Sequence, residues 1–469
     1  MAPKSIVSPP EYAGSFKELF AVSLPLIISA GSHSLMNVAD RVMLAGYSPT
    51  DINAGTTLDV IAAVTPAGML LWTVACVPIG TILYANTFIA QFDGAGKKRQ
   101  LVASFWQAVW LSIISGLLLI LLLPMSGMLF TFAGHSETVV VQEVAYFNTL
   151  CGGSVLLLLS TALSCFFSGR QKTNVVMYVN IISVVINVVL DYALIYGHWG
   201  LPSLGITGAA VATLLALVCD VGMFSYLIWR ESKRGEYPLA SAWKLDRGLL
   251  IKYLRFGVPS GLHFFVDNSG FLVFLLIVGS LNRDAMAATN LAFSVNSLIF
   301  VPLLGFGTAV QTLVGHHIGA GLPAAASRTT WNAVRMSIVW TGTAAVLLVF
   351  FPEFSLLPFL TFANDASSIG TVLPVAAGLL KFVAVYSVFD ALAVVFASAL
   401  RGAGDTIFPM FITMFSSWFI MTLPAWLIVR SDTATIQQLW FTCTAHILLM
   451  GTAMLLRFLA GKWKLIQIT

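Results

Sequence analysis

Twelve apolar stretches, each closed off by a short polar segment, leave this chain few ways to fold. A helix needs roughly 20 mostly apolar residues to cross a bilayer. In hydrocarbon every backbone N–H and C=O must be satisfied inside the protein, which favours helices. The stretches fall at about 17–45, 56–88, 101–123, 138–166, 174–197, 206–229, 253–279, 287–314, 332–352, 372–399, 407–429 and 437–459. The expected fold class is therefore all-α, a polytopic membrane protein with twelve transmembrane helices. Pro25 is predicted to bend the first helix, and Pro66 and Pro78 the second, because proline removes a backbone donor.

Composition agrees with this reading. The chain is 58% hydrophobic and 9% charged, against about 25% charged in soluble domains. A net charge of +4 without a long basic run excludes nucleic acid as a partner. Five cysteines (Cys76, Cys151, Cys165, Cys219, Cys443) sit inside apolar runs and form no C-x-x-C pair, so they read as small core residues. The N-terminal segment lacks the pattern of a signal peptide, and the first apolar stretch is expected to be a retained helix.

Orientation follows from Lys and Arg, which favour cytoplasmic loops. With the N-terminus inside, every basic residue from Lys4 to Lys464 falls in an inner segment except Arg41, Arg283, Lys381 and Arg430. That asymmetry supports twelve helices with both termini cytoplasmic. The longest hydrophilic connection, 231–252, divides the chain almost in half, and features recur on either side of it. Ser23–Pro25 (SLP) answers Gly257–Pro259 (GVP). Gln91–Gly96 (QFDGAG) answers His316–Gly321 (HHIGAG). Ser168–Thr173 (SGRQKT) answers Arg401–Thr406 (RGAGDT). The expected organisation is a six-helix lobe over 1–230, a cytoplasmic linker over 231–252 and a second six-helix lobe over 253–469. An even number of helices per half gives the halves parallel orientation.

Charged residues inside such helices are costly, at least about 2.5–3.5 kcal/mol each, and normally face a bundle interior or a wet cavity. The inventory is Asp40, Asp191, Asp220, Asp267, Asp390 and Lys381, with Asp59 near the end of the second helix. Tyr386 precedes Asp390 by one helical turn and shares its face. Asn187 and Asp191 are spaced in the same way. A carboxylate with a neighbouring amide or phenol can bind a hard cation or hold a transferable proton, and the residues leave open which occurs. Asp267, Asp390 and Tyr386 form the second-half candidate and offer the same chemistry. Phe264, Phe265 and Phe293 are candidates to line a cavity for apolar or cationic compounds. Three further strings carry less. The GAGD of 402–405 matches an intramembrane aspartyl protease string, but places Asp405 in a polar turn. The GAG turns of 94–96 and 319–321 lack the remainder of a phosphate loop. His316 and His317 read as polar residues of an inner loop.

Taken together, SLPLIISAGSHSLMNVADRVMLAG, INVVLDYALIYGHWGLPSLGITGAAVATLLA, LVGHHIGAG and ALRGAGDTIFPM resemble the multidrug and toxic compound extrusion (MATE) transporters, in their NorM-type branch. The resemblance runs along nearly the whole chain. It implies two six-helix lobes and export of amphipathic organic cations against Na⁺ or H⁺. It also implies a first-lobe ion or proton site at Asp40, Asn187 and Asp191 with Thr213. At the second-lobe site it implies that Asp267 replaces the usual Glu.

The expected function is thus a cation-coupled multidrug antiporter of the inner (plasma) membrane, working by alternating access. It is not an enzyme and needs no cofactor beyond transported Na⁺ or H⁺. The partners are small organic cations such as dyes and drugs, and the lipid bilayer. A monomer is expected. A flippase for lipid-linked precursors and an intramembrane aspartyl protease are the alternatives. The acidic mid-membrane inventory speaks against the first, and the position of Asp405 against the second.

Overall fold

The computed structural model describes residues 13–47, 56–132, 134–235, 237–360, 366–431 and 433–466, so Lys4 lies outside the described residues. Eleven helices are long and apolar enough to cross a membrane, and a broken pair supplies the twelfth span. In chain order they are α1 (Phe16–Ala45), α2 (Asp59–Gly94), α3 (Lys98–Phe132), α4 (Glu137–Gly152 with Ser154–Ser168), α5 (Thr173–Tyr196), α6 (Gly205–Lys233), α7 (Arg247–Leu281), α8 (Arg283–Gly319), α9 (Pro323–Phe350), α10 (Val372–Ala403), α11 (Ile407–Val429) and α12 (Ile436–Leu459). The described residues contain no strand. The all-α class and the twelve spans stand.

Several helices outrun their apolar stretches. Arg283–Gly319 is one helix of 37 residues, which puts His316 and His317 inside α8 and not in a loop. His317 is buried, with its Nε2 3.5 Å from Glu18 Oε2. The sharpest break in a span is at Gly153, where the two parts of α4 meet at 46°. Prolines 25, 66 and 78 leave their helices continuous. Gly153 is pinned by α6, since a Cβ there would lie 2.0 Å from Leu214 Cδ2. Asp59 caps its helix: Thr56 N donates to Asp59 Oδ2 at 2.7 Å, and Asp59 N to Thr56 Oγ1 at 3.3 Å. That is a capping box, and its T-x-x-D pattern is present in the sequence.

The chain gathers into two compact units. One holds Ile28–Gly261, the other Met1–Ile27 with Leu262–Thr469. The division therefore falls inside α1 and α7, and each unit keeps the start of the helix that continues in the other. In the first-half unit Tyr253, near the start of α7, donates to Ile82 O at 2.8 Å, and its ring stacks on Phe88. The segment before α7 is tied down along α3. Trp106 Nε1 donates to Leu239 O (3.1 Å), Gln107 Nε2 to Lys244 O (3.3 Å) and Trp110 Nε1 to Trp243 O (2.9 Å). In the second-half unit the segment before α1 is held on α9. Asn332 Nδ2 donates to Gly14 O at 2.8 Å, and Arg328 donates to Ala13 O. Trp106-Gln107 and Trp331-Asn332 occupy corresponding places in the two repeats, and the amide does the same work in each.

A second anchor joins the α4–α5 turn to the end of α6. Glu231 accepts from Arg170 Nη1 and Lys172 Nζ, each at 2.7 Å, and Arg170 lies 4.6 Å over the Tyr237 ring. The Arg170 side chain is 1% exposed, that of Glu231 15%. Glu231→Gln would leave a buried guanidinium short of its counter-charge, which destabilises more than the intact pair stabilises. The expected result is a loss of about 2–3 kcal/mol, read as a lower thermal midpoint of the detergent-solubilised protein. An unchanged midpoint would show that the cluster is not holding the turn.

Candidate ion-coupling sites in two buried clusters

In the first-half unit α1, α5 and α6 bring the expected residues together. Asp40, Asn187 and Asp191 are buried, the last two completely. The side chains of Asp40 and Asp191 are hydrogen-bonded to each other. With the Asn187 amide nitrogen turned to the carboxylates, it donates to Asp191 Oδ2 at 3.1 Å and to Asp40 Oδ1 at 3.2 Å. Thr213 Oγ1 stands 3.5 Å from the amide and also reaches Ala209 O at 3.1 Å. Asp191 Oδ1 has no partner. Tyr146, on the first segment of α4, faces both carboxylates, and Arg41 adds its charge beyond them. Tyr146 is a neighbour that sequence spacing did not single out. The angle of the α4 break sets where it points.

In the second-half unit α7 and α10 supply the other set. Asp390 and Tyr386 lie on one face of α10, one turn apart, and both are buried. Asp267, from α7, acts electrostatically on Asp390. Cys443 on α12 faces both carboxylates. The hydroxyl of Tyr386 and Oδ1 of Asp267 are buried without a hydrogen-bond partner, and such groups normally mark bound water or an ion. Arg401 acts on Asp267 and on His263, which sits one turn before it. Arg401 Nη2 donates to Ser398 Oγ at 3.1 Å. His263 and the fully buried His446 are further polar groups of this unit that the sequence reading left out.

Packing beside α7 sets this geometry. A Cβ on Gly270 would lie 1.8 Å from Ser417 Oγ, so glycine is what leaves room for that hydroxyl against α7. Ser417 belongs to a π-helical turn, Ser416–Thr422, inside α11. Such turns are rare and often lie near functional residues. Of the candidate cavity aromatics, Phe293 stacks on Trp440 at 5.0 Å and packs into the core of this unit. Phe264 lies under Arg401, 5.4 Å from ring centroid to guanidinium, with Phe265 half-buried beside it. Asp405 accepts from Arg457 Nε at 2.7 Å at the end of α10, so the GAGD turn is a structural ion pair.

The MatE family model matches the chain twice, over residues 25–193 and 259–427. The chain belongs to the MATE family. The two matches start 234 residues apart, as the Pro25 and Pro259 repeat requires. This protein is a transporter and not an enzyme. It is 29% identical to a probable multidrug resistance protein NorM of Thermotoga maritima over 456 residues, 96% of this chain and 93% of that protein. It is 28% identical to the multidrug resistance protein PmpM of Pseudomonas aeruginosa over 416 residues, 86% of this chain and 82% of that protein. Among solved structures, it resembles an outward-facing multidrug resistance MATE transporter of the MOP superfamily, with a TM-score of 0.84, 20% identity and 98% of each chain covered. A MOP superfamily transporter from Pyrococcus furiosus, whose binding pocket has reversed polarity, gives a TM-score of 0.82 at 21% identity over 95% of each chain.

Proposed function

We propose that this MATE transporter exports amphipathic organic cations in exchange for Na⁺ or H⁺ by alternating access. It would sit in the inner membrane with both termini cytoplasmic, as its basic residues suggest, and work as a monomer. The observation that carries the reading is a pair of carboxylates inside each unit, Asp40 and Asp191 buried in one, buried Asp390 with half-buried Asp267 in the other. Neighbouring carboxylates repel when both are ionised, so each pair favours a bound cation or proton. We assign the proton to Asp40 and Asp191, with Asn187 and Thr213 orienting them. We assign Na⁺ to Asp267, Asp390 and Tyr386, where the unpartnered oxygens of Asp267 and Tyr386 suit a hard cation. Phe264 and Phe265 are assigned to the drug side of the second-half unit, while Phe293, packed on Trp440, is left to the core. The multidrug relatives support the substrate class. The ion must bind one conformation more tightly than the other, or it moves nothing.

Ethidium efflux from proteoliposomes under separate Na⁺ and pH gradients tests this. Movement driven by Na⁺ alone places coupling at Asp267, Asp390 and Tyr386. Movement driven by the proton gradient alone places it at Asp40 and Asp191. No response to either gradient overturns the antiport reading.

A further inference from the structure

One face of α5 carries more polar residues than the Asp40–Asp191 pair needs. Asn180, Ser183, Asn187 and Asp191 recur every three or four residues, so they stack along one side of the helix, and all four are buried. At 1.5 Å per residue the row covers roughly 16 Å, about half of a ~30 Å hydrocarbon core. It leads from the carboxylate pair toward the end of the unit that holds Arg170, Lys172 and Glu231. Asn180 Nδ2 donates to Ser29 Oγ, and Ser183 Oγ donates to Ala216 O at 3.2 Å.

Beside Ser183, on α6, stands Asp220, 2% exposed. It lies two turns from Thr213 on the same helix face. Ser160, from the second segment of α4, donates through Oγ to Asp220 Oδ2 at 3.1 Å, and Ser183 is near the same carboxyl group. Asp220 Oδ1 is buried without a partner. Among the described residues no ion pair reaches Asp220. The titratable groups of the helices packed against α6 are engaged elsewhere: Glu143 with His135 at 2.7 Å, and Asp191 and Tyr146 with Asp40. A purely structural carboxylate in hydrocarbon is expected to have its oxygens met by donors or a cation. Here one oxygen of Asp220 and one of Asp191 are both left open, at two levels of the same polar row.

We propose that Asp220 is a second proton station, standing between the Asp40–Asp191 pair and the Arg170–Lys172 end of the unit. The step is a proton transfer along hydroxyl oxygens. The acid form of Asp191 gives up its proton and becomes a carboxylate. The hydroxyls of Thr213 and Ser183 take that proton and pass another on. Asp220 accepts it to become the acid, and then releases it toward the Arg170–Lys172 end. This rests on the proton reading of the first-half pair.

The test uses the full chain in proteoliposomes with lumenal pyranine, and an imposed pH gradient driving ethidium. Asp220→Asn keeps the size of the side chain and an acceptor for Ser160, but removes the transferable proton. It is expected to slow proton-driven efflux about tenfold or more, while ethidium affinity and thermal midpoint stay at their wild-type values. Asp220→Glu is expected to restore most of the rate. The carboxylic-acid C=O stretch in pH-difference infrared spectra is expected to lose one band in Asp220→Asn. Near-wild-type efflux by Asp220→Asn overturns the station. So does a slowing that Asp220→Glu fails to reverse and that tracks a fall in midpoint, since that is what a packing role would give. Ser183→Ala removes a hydroxyl of the relay itself. It keeps the test decisive if Asp220→Asn misfolds, because an unchanged proton-driven efflux rate in that variant also overturns the station. Asp191→Asn, run alongside, separates the two readings. If Asp191→Asn transports normally, the pair fails. If it is inactive while Asp220→Asn is normal, only the station fails.

Discussion

Asp390→Asn is expected to abolish efflux while the protein still inserts and purifies in normal amount. The substitution keeps the volume at a buried position of α10, so packing around Tyr386 survives. What it removes is the charge that a cation would neutralise. An amide offers one oxygen and no charge, so the two conformations become nearly equal in affinity for the ion. A ligand with equal affinity for both states shifts no population. The expected loss is about a hundredfold in Na⁺-driven ethidium efflux, equivalent to roughly 2.7 kcal/mol. Ethidium binding at equilibrium without a gradient should be altered far less. Tyr386→Phe removes only the unpartnered hydroxyl and is expected to lose less, about tenfold. Normal Na⁺-driven transport by Asp390→Asn would sink the assignment of this site.

The spans were legible because hydrocarbon imposes one rule on every helix: about twenty apolar residues in a row. The duplication was legible for a related reason, since the paired turns at 168–173 and 401–406 end corresponding helices. The break in α4 was not legible through proline. It sits at Gly153, where a Cβ would run into the Leu214 side chain of α6, and such crowding is a property of two helices together. The allotment of the starts of α1 and α7 to opposite units could not be read either. It rests on single donors such as Gln107 and Asn332 that meet backbone far away in sequence. The same divide runs through the sites. Asn187 with Asp191, and Tyr386 with Asp390, were readable because a four-residue spacing fixes a shared face. Tyr146 and His446 were not, because each belongs to its cluster only through the packing of another helix, whereas His263 stands four residues before Asp267 and was open to the same spacing rule. Asp220 was visible as a charge but not as a site, since its partner Ser160 is sixty residues away.

Asp191→Asn is the sharper test of the first-half cluster. Asp191 is fully buried and shares a hydrogen bond with Asp40. With an amide in its place Asp40 keeps a donor, so local packing should hold. The pair, however, can no longer pass a proton between two acids. Proton-driven ethidium efflux is expected to fall about a hundredfold or more, with thermal midpoint close to that of the wild type. Asp40→Asn is expected to cost nearly as much, and the double variant no more than either alone. Residues that act as one unit are non-additive, whereas two independent ion sites would multiply their losses. Tyr146→Phe, which removes a hydroxyl beside the pair, is expected to cost less than either carboxyl. Losses that multiply in the double variant would separate Asp40 from Asp191 as a proton-sharing pair. Proton-driven efflux at the wild-type rate in Asp191→Asn would remove the first-half cluster from the coupling mechanism and leave it to Asp267, Asp390 and Tyr386 alone.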